Sequence, residues 1–428
     1  MKKWLAVLLC GLAVLLCTAA LADVTVNEKN FPDMHFREYV RDTHDWDQNG
    51  VLDDEEIISV RSITIYNKET KSLKGIEFFT NLRELYCMSC KIVSLDLSRN
   101  KALTKVNCYA CRNMTNIEVR GCTSLEYLDC SSCKLTKLDV SKNTALMQLT
   151  CSFNQLKKLD VSKNTELMYL SCSDNKLEKL DISHNTKLLG LYCSNNKISD
   201  LHLEKLLSLN DLVCSYNRLR SLNIKNNKKL ETLECEHNNF KSLDLQHNAY
   251  LIDTLIDMPL YKKDGVKSFC YNLNEEIFIS VDDDVDLIAP VAFIDNLRYE
   301  LKGKEAAVCY EDDFTRKKRI IPDTIRYKGK TYKVTEIQRY VFTNHWKLKE
   351  LVIGKNVSKI GINAFSNCKN LKKITIKTTK LTNRTIGASS FKDIYRKAVF
   401  ICPASKLKDY KNWLVKVGGA PGTCTFKK

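Results

Sequence analysis

The residues with the clearest chemistry lie in one acidic loop, where residues 45–56 read DWDQNGVLDDEE. Gly50 allows a sharp turn at the sixth position of this loop. Calcium takes six to eight hard oxygen ligands in a flexible arrangement. The loop is therefore predicted to bind calcium through six oxygen donors at positions 1, 3, 5, 7, 9 and 12, namely Asp45, Asp47, Asn49, the backbone carbonyl of Val51, Asp53 and Glu56.

The spacing of these donors follows D-x-[DN]-x-[DN]-G-x5-E, so the segment resembles the calcium loop of an EF-hand. Phe36, Tyr39 and Val40 precede it at helical spacing, which predicts the entering helix. The sequence has one such loop, whereas sensor EF-hands normally come in pairs. We therefore expect the loop to brace an N-terminal cap rather than act as a switch. The alternative is an acidic turn without metal.

Cysteine pairs are the second set of residues with possible chemistry. Three C-x-x-C pairs begin at Cys87, Cys108 and Cys130, and this spacing also occurs in zinc and redox sites. The first cysteine then recurs without a partner, as Cys151, Cys172, Cys193, Cys214 and Cys235. This register favours a packing role, in which free thiols fill a buried row. The seven histidines are scattered and match no catalytic motif, so an enzyme is not expected.

Internal repeats must position these residues. Between Thr80 and Asn248 a 21-residue pattern recurs, with one 22-residue unit, as in TSLEYLDCSSCKLTKLDVSKN (123–143) and TALMQLTCSFNQLKKLDVSKN (144–164). The pattern L-x-x-L-x-C-x-x-N/C-x-L resembles the short, two-stranded bacterial class of leucine-rich repeats. The resemblance implies a solenoid whose stacked turns share one core, with strands on both flanks. The signature asparagines are expected to bond the backbone of adjacent turns.

A different repeat lies nearer the C-terminus. Residues 360–376 follow I-G-x-x-A-F-x-x-C-x-x-L-x-x-I-x-I, which resembles the BspA-like leucine-rich repeats of bacterial surface proteins. The fold predicted is mostly β, a leucine-rich-repeat solenoid with a small helical cap. We expect a signal peptide (1–22), an EF-hand-like cap (23–66), 21-residue repeats (67–260), an acidic linker and strand-pair cap (261–331), BspA-like repeats (332–397) and a basic C-terminal cap (398–428).

Charge and hydropathy at the two ends predict where the protein works. Lys2 and Lys3, the apolar residues 5–16 and a small-x-small site at 20–22 predict a secretory signal peptide, hence a secreted or cell-surface protein. Residues 314–428 carry 28 Lys and Arg against 5 Asp and Glu, whereas residues 271–313 carry 3 against 12. The basic end is predicted to attract an anionic cell-wall polymer. A merely solvated surface is the alternative, and no nucleic-acid module is present.

Recognition is predicted on the first strand of each 21-residue unit, because its outward residues vary while the second strand is monotonous. There Lys137, Lys158 and Lys179 alternate with aspartates, which we expect to compensate their charge. The predicted ligand face comprises Tyr86, Tyr127, Asp129, Phe153, Tyr169, Tyr192, Tyr216 and Glu234. The predicted function is the binding of a protein or glycan, in adhesion or host interaction. The alternative is a structural envelope component held by its basic end, without a specific ligand.

Overall fold

The computed structural model describes residues 23–270 and 277–428. The predicted signal peptide, residues 1–22, lies outside the described residues. The chain forms two compact units, of which the first ends at Leu206 and the second begins at Leu207. In each unit short strands far outnumber the helices. The prediction of a mostly β, repeat-built fold is confirmed.

The first unit begins with a small helical cap and continues as a solenoid. A 3-10 helix at Ile76–Phe78 lies between the cap and the repeats. The elements are β1 (Val24–Thr25), α1 (Met34–His44), β2 (Val51–Leu52), α2 (Asp54–Ser59), β3 (Ser62–Thr64), β4 (Glu84–Tyr86), β5 (Ser94–Asp96), β6 (Lys105–Asn107), β7 (Asn116–Glu118), β8 (Tyr127–Asp129), β9 (Gln148–Thr150), β10 (Tyr169–Ser171) and β11 (Gly190–Tyr192).

The first strands of successive turns form one parallel sheet, in the order β3-β4-β6-β8-β9-β10-β11 within the first unit. Each strand has three residues, and its central residue is buried while its outer two face outwards. The central residues pair in register along the sheet, as in Leu128 with Leu149 and Leu170 with Leu191. Their burial supplies the hydrophobic core that a single turn could not form alone.

Two rows of buried asparagines join consecutive turns of the first unit. After the second flank, the side-chain Nδ2 of Asn164 donates to the carbonyl of Asn143 at 2.8 Å. After the first strand, Nδ2 of Asn175 donates to the carbonyl of Cys151 at 3.0 Å, and its Oδ1 accepts from the backbone N–H of Leu156 at 2.9 Å. The same contacts recur at Asn185, Asn154 and Asn196. The predicted role of the signature asparagines is confirmed.

The second flank has fewer strands than the sequence predicts. In the first unit only β5 and β7 pair there, with Leu95 opposite Ile117. In the later turns of the first unit the equivalent residues form no strand and are joined by one repeating backbone bond, such as Gln155 N–H to the Leu135 carbonyl at 2.8 Å. The buried asparagines therefore supply most of the polar contacts that stack this flank.

A row of buried cysteines follows the first strands of the first unit. Its members are free thiols at Cys87, Cys108, Cys130, Cys151, Cys172 and Cys193. Burial raises the pKa of the Cys172 thiol well above its usual value and that of Cys193 to about 12. Since the thiolate is the nucleophile and the metal ligand, thiols with a raised pKa are inert. The geometry favours the packing role predicted for this row.

Thiol titration provides the first test. In the native protein at neutral pH we expect little reaction with a thiol reagent, because the cysteines are buried. In denaturant without reductant, most of the seventeen cysteines that follow residue 22 should react at once. A chain whose thiols react in denaturant only after a reductant is added would contradict the prediction, because its cysteines would then be disulfide-bonded.

Among the described residues, the strands of the second unit fall into four hydrogen-bonded groups, and the unit has two α-helices. A 3-10 helix at Ala404–Lys406 precedes its last helix. The elements are β12 (Asp211–Val213), β13 (Thr232–Glu234), β14 (Ser242–Asp244), α3 (Ala249–Asp257), β15 (Leu260–Lys263), β16 (Val266–Cys270), β17 (Ile277–Asp282), β18 (Asp286–Ile288), β19 (Val291–Ile294), β20 (Leu297–Lys302), β21 (Glu305–Glu311), β22 (Lys318–Ile321), β23 (Thr324–Tyr327), β24 (Lys330–Ile337), β25 (Glu350–Ile353), β26 (Lys359–Ile360), β27 (Lys373–Ile376), β28 (Val399–Ile401), α4 (Leu407–Lys416) and β29 (Thr425–Lys427).

Residues 261–331 are predicted as an acidic linker with a strand-pair cap, and the described residues among them, 261–270 and 277–331, are folded into this unit. Strand β17 pairs in parallel with β13, and β18 pairs in parallel with β14. Residues 277–288 thus form one more solenoid turn, which lacks the leucine and asparagine signature. The strand pair itself is present as the antiparallel hairpin β23–β24, whose turn residues Lys328 and Gly329 both have positive φ.

The BspA-like repeats form a second parallel sheet, in the order β22-β25-β27-β28-β29. The glycines of the I-G pattern lie where successive turns nearly touch, since a Cβ at Gly387 would lie 2.3 Å from the carbonyl carbon of Gly361. Phe342, Phe365 and Phe391 stack in the core with ring centroids 5.0 and 5.2 Å apart. Helix α4 and β29 close the array, and both lie within the predicted basic C-terminal cap, residues 398–428.

Two buried arginines anchor the middle of the second unit. Arg298 donates to Asp312 and to the carbonyl of Leu255 at 2.8 Å, and its guanidinium lies 4.3 Å from the Tyr310 ring centroid. Arg319 and Glu311 form a bidentate pair in which both side chains are almost wholly buried. Part of the charge separation seen in the sequence is therefore neutralised inside this unit.

Candidate functional site

The acidic loop at residues 45–56 is held in a tight turn by its own backbone. The carboxylate of Asp45 accepts the backbone N–H groups of Asn49 at 3.1 Å and Gly50 at 3.0 Å. Gly50 has a φ of 81°, as its place in the turn requires. The carboxylate of Glu56 reaches back across the loop and accepts the N–H of Trp46 at 2.6 Å. The first and last carboxylates of the loop are thereby drawn to one side.

Three of the predicted ligands come together. Carboxylate oxygens of Asp45, Asp47 and Glu56 lie within 4.8 Å of one another, a separation that one cation can bridge. Asp53 does not belong to this group, because its carboxylate caps α2 by accepting the N–H of Glu56 at 2.9 Å. The Oδ1 of Asn49 accepts the Val51 N–H at 2.7 Å. The donors are all hard oxygens, so their chemistry fits calcium.

The helical cap positions this loop. Asp33 caps α1 by accepting the N–H of Phe36 at 3.1 Å, and its second oxygen accepts the N–H of Lys71 at 2.7 Å, which ties the cap to the start of the solenoid. Strand β2, inside the loop, pairs with β1 through Val24 and Leu52. The pairing with β1 supplies hydrogen-bond partners for the backbone of β2, so that the loop needs no second EF-hand loop beside it.

The second candidate is the outward side of the sheet in the first unit, which we call the strand face. Tyr86, Asp129 and Tyr192 end their strands and are half-buried, as is Tyr127, while Tyr169 is 40% exposed. These five of the eight predicted ligand residues therefore lie on the strand face. The parallel register places Tyr127, Gln148 and Tyr169 side by side in one row.

Aromatic rings are held at two places on the strand face. Lys105 lies between two tyrosines, with its Nζ 5.4 Å from the Tyr86 ring centroid and 5.1 Å from that of Tyr127. Near the other edge, a Cβ at Gly190 would lie 2.9 Å from ring atoms of both Tyr169 and Tyr192. The absence of a side chain at Gly190 gives these two rings their room.

The sequence comparison missed an apolar row beside these rings. Met147 is 45% exposed, and Met168 and Leu189 are half-buried; they stack on one another through backbone bonds of 2.8 Å. They occupy the position just before the first strand, which is Glu126 one turn earlier. A comparison of turns at this position could have found them, because methionine in an outward position is unusual in a polar surface.

One backbone position of each turn has a positive φ, and in two turns it holds an aromatic residue. Small or polar residues occupy it in most turns, for example Asp174 and Asn195. Phe153 adopts a φ of 55° and is 59% exposed, and Tyr216, in the second unit, adopts 54°. The left-handed conformation costs a residue with a Cβ roughly 1–2 kcal/mol. An exposed ring at such a position adds no core packing to offset that cost.

The second flank differs from its prediction. Among the described residues no ion pair joins Lys137, Lys158 or Lys179 to an aspartate of this flank. Each aspartate instead accepts the backbone N–H two residues on, as Asp160 does from Ser162 at 2.9 Å, and this bond lowers its pKa. The prediction that these lysines and aspartates compensate each other's charge is therefore wrong, because the aspartate side chains accept backbone N–H groups in the turns.

The predicted ligand residues of the second unit lie around an acidic group. Tyr216 packs against His237, with ring centroids 4.2 Å apart. Glu234 lies in β13, and burial, together with the nearby Glu236 charge, raises its pKa to about 7. The Glu236 carboxylate also accepts the Ser280 hydroxyl at 2.5 Å.

The raised pKa of Glu234 predicts a pH dependence of stability. A carboxyl with a raised folded-state pKa stabilises the fold below its ordinary value of 4.5, and that contribution is lost as pH rises towards about 7. Glu234→Gln should therefore gain stability relative to the parent chain between pH 4.5 and 7. Thermal melting at both ends of this range tests it, with Glu231→Gln as the exposed, charge-matched control. Equal pH responses in the two variants would contradict the prediction.

Comparison with known proteins identifies the repeats. Residues 58–164 match the profile of the LRR domain of the endo-beta-N-acetylglucosaminidase EndoS. Residues 330–413 match the BspA type leucine rich repeat region, in six copies. Both units thus contain bacterial leucine-rich repeats. No curated protein sequence matches the chain significantly. Among the described residues, no helix has the length and apolar character needed to cross a bilayer.

Solved structures of bacterial repeat proteins are also similar. The functional domain of InlJ from Listeria monocytogenes, described as including a cysteine ladder, is 21% identical with a TM-score of 0.45, over 89% of this chain and 82% of that one. Internalin C2 from the same organism is 21% identical with a TM-score of 0.43, over 49% and 96%. A leucine-rich-repeat protein of Leptospira interrogans is 13% identical with a TM-score of 0.34, over 73% and 70%. Similarities of this size carry no argument about function.

Proposed function

We propose that this bacterial leucine-rich-repeat protein is exported and binds a protein or glycan partner at the cell surface, in adhesion or host interaction, through the strand face. One observation carries the proposal: Met147, Met168 and Leu189 lie beside Tyr127 and Tyr169 as a contiguous, partly exposed apolar band. Exposed apolar patches rimmed by polar residues mark interaction sites. Aromatic residues and methionine are enriched at the cores of such interfaces.

The rest of the strand face suits recognition. Asp129, Thr150 and Ser171 form a polar row next to the band and offer hydrogen-bonding groups that could give specificity. The parallel ladder keeps both rows rigid, so that a partner would lose little free energy in ordering them. The ring of Phe153 is 59% exposed and is therefore available for contact with a partner.

Tyr127→Ala combined with Tyr169→Ala tests this proposal. We expect at least about tenfold weaker binding to any partner found on an array of extracellular proteins and glycans, since truncating an aromatic hot spot costs about 2 kcal/mol or more. The melting temperature should change little, because both side chains project outwards from the core. The affinity of purified chains for the strongest array partner is the measurement.

The second flank supplies the matched control. Lys137→Ala combined with Lys158→Ala changes two exposed side chains of the same first unit and should leave binding unchanged. If the lysine variant lost the partner and the tyrosine variant kept it, the wrong flank has been assigned. An array without any specific partner would favour the alternative, a structural envelope component.

A calcium site in the cap belongs to the same proposal. We propose that Asp45, Asp47 and Glu56 hold the ion, and that Asn49, Asp53 and the Val51 carbonyl complete its shell directly or through water. The clustered carboxylates and the turn at Gly50 support it. The bound ion would neutralise three carboxylates that otherwise repel one another, and so brace the cap against the first strand.

A second proposal concerns retention at the envelope. We propose that the basic residues between 314 and 428 hold the protein on an anionic polymer. The excess of lysine over acidic residues in this segment supports it. Attraction between exposed charges is screened over about 10 Å at 0.1 M salt, so bound protein should elute as salt is raised. Retention that does not respond to salt would contradict it.

A further inference from the structure

We propose that Lys317, Lys349 and Lys372 form a binding row for an acidic polysaccharide in the second unit. The inference rests on the second proposal, that this segment meets an anionic polymer, and it names the site and the chemical class. Each lysine immediately precedes a strand of the BspA-like sheet, respectively β22, β25 and β27. All three side chains are exposed.

The three lysines are brought into register by the backbone. The N–H of Lys349 donates to the carbonyl of Lys317 at 2.7 Å, and the N–H of Lys372 donates to the carbonyl of Lys349 at 2.9 Å. Neighbouring strands lie about 4.8 Å apart, so the three side chains leave the sheet within about 10 Å of one another. Like charges placed directly opposite destabilise a sheet, and a bound polyanion would remove that penalty.

The next row of residues, Lys318, Glu350 and Lys373, contains lysines whose charge is neutralised. One residue further along, Glu350 lies between Lys318 and Lys373, with Nζ–O distances of 3.2 and 3.0 Å. In the described part of the chain, no carboxylate pairs with Lys317, Lys349 or Lys372. The two rows are one residue apart along the chain, yet one is compensated and the other is left charged.

Carboxylates elsewhere in the segment are already engaged. Four of its five acidic residues form ion pairs away from the row or within the compensated one: Asp323 with Lys355, Glu336 with Lys359, Glu350 as described, and Asp409 with Lys406. The acidic residues just before the segment pair with arginines, as Asp312 does with Arg298. Among the described residues of its unit, the exposed row therefore has no carboxylate in ion-pair contact with it.

Aromatic rings beside the row favour a sugar polymer. Trp346 is 60% exposed next to Lys347, whose Nζ lies 4.8 Å from the ring centroid, and the Lys372 Nζ lies 5.1 Å from that of Tyr395. Exposed rings of this kind can pack against the C–H faces of sugars while lysines meet the acidic groups. Arginine is the residue favoured for bidentate phosphate and nucleic-acid recognition, and the row contains none.

The test uses the complete mature chain and heparin as the probe. Lys317→Gln, Lys349→Gln and Lys372→Gln together should weaken heparin binding by roughly tenfold at 0.1 M salt, and should reduce the slope of log affinity against log salt by about one per lysine. Lys137→Gln, Lys158→Gln and Lys179→Gln remove the same charge from the second flank of the first unit and should change it little. Trp346→Ala should weaken heparin binding several-fold without altering the salt slope.

Polygalacturonate and a single-stranded DNA oligonucleotide complete the experiment. The parent chain should bind polygalacturonate, and the triple-lysine variant of the row should lose this binding. DNA should bind the parent chain more weakly than heparin does. Equal losses in the two lysine variants would overturn the site, since net charge alone would then explain binding. DNA binding as tight as heparin binding, lost equally in the row variant, would overturn the polysaccharide class. If the row variant loses heparin yet stays on cells, the site stands and the retention proposal fails.

Discussion

Glu56→Gln should weaken calcium binding to the acidic loop by at least about 100-fold. Glu56 is the bidentate closing ligand of such a loop, and a neutral amide offers the ion one oxygen and no charge. Loss of a mere outer-shell partner of a metal typically costs 10–100-fold, so loss of this direct ligand should cost more. The side chain keeps its length, so the substitution removes the charge and one acceptor oxygen without changing the volume at this position.

The local contacts of Glu56 require a comparison with and without calcium. One carboxylate oxygen accepts the N–H of Trp46 at 2.6 Å, and the other accepts the N–H of Asp53 at 3.0 Å as part of a capping box. Glutamine has one acceptor oxygen and can keep only one of these two bonds, so the variant also loses some stability without calcium. At a calcium concentration about 100-fold above the dissociation constant of the parent chain, the free energy of unfolding should rise by about 2.7 kcal/mol in the parent and by about 0.4 kcal/mol in the variant. The difference between calcium and chelator is therefore the quantity to compare, rather than stability itself.

Trp46 provides the measurement, since it lies inside the loop and its N–H donates to Glu56. Its fluorescence should follow calcium titration and cap melting in the parent chain. In Glu56→Gln the calcium response should move to at least about 100-fold higher calcium, and the melting curves in calcium and in chelator should nearly coincide. Glu55→Gln is the control, because this neighbouring glutamate is exposed, carries the same charge and lies outside the carboxylate cluster. Identical melting of the parent chain in calcium and in chelator would contradict the proposal.

The repeats and the acidic loop could be predicted because their positions depend on spacing along the chain. Each turn places its equivalents of Leu149, Cys151 and Asn154 at the same depths of the core. One sequence pattern therefore determines the strand, the buried cysteine row and the asparagine contact together. The loop donors lie within twelve residues of one another, and a short turn brings Asp45 and Glu56 together with little help from the rest of the fold. Local periodicity thus carries most of the architecture.

Features that depend on contacts between residues far apart in the chain could not be predicted from the sequence. Residues 277–288 form a solenoid turn after an insertion, and their only local sign is the alternation of Ile279, Val281, Val285 and Leu287. Their acidic residues dominate the composition, which favoured a linker over strands. The exposed row of Met147 and Met168 was overlooked because methionine also fills cores, and only the register shows which way it points.

Charge was the least predictable property, because pairing depends on tertiary position. Summed over the segments, residues 271–313 are acidic and the following residues basic. In the fold, Glu311 meets Arg319 and Asp312 meets Arg298 inside the second unit. The lysines that remain unpaired, rather than the total charge, are the ones available to a partner.

The pair of Glu311 and Arg319 leads to the second large effect. Glu311→Met should destabilise the second unit by about 3–5 kcal/mol, since removing one member of a buried pair leaves the other charge uncompensated. Both side chains are almost fully buried, and Arg319 Nη1 is further fixed by the Asp295 carbonyl at 2.9 Å. Burial raises the pKa of Glu311 even though Arg319 opposes the shift. Desolvation therefore largely offsets the attraction within the pair.

That balance predicts how the double variant behaves. Glu311→Met with Arg319→Met replaces the pair by apolar groups of similar volume, and such replacements are often neutral or stabilising. The double variant should therefore be more stable than either single one, in contrast to the additive loss expected of independent sites. Urea unfolding followed by Trp346 and Trp413 fluorescence reports on the second unit, where both residues lie. If the double variant were as unstable as the sum of the single ones, the two side chains would act independently and the desolvation argument would be wrong.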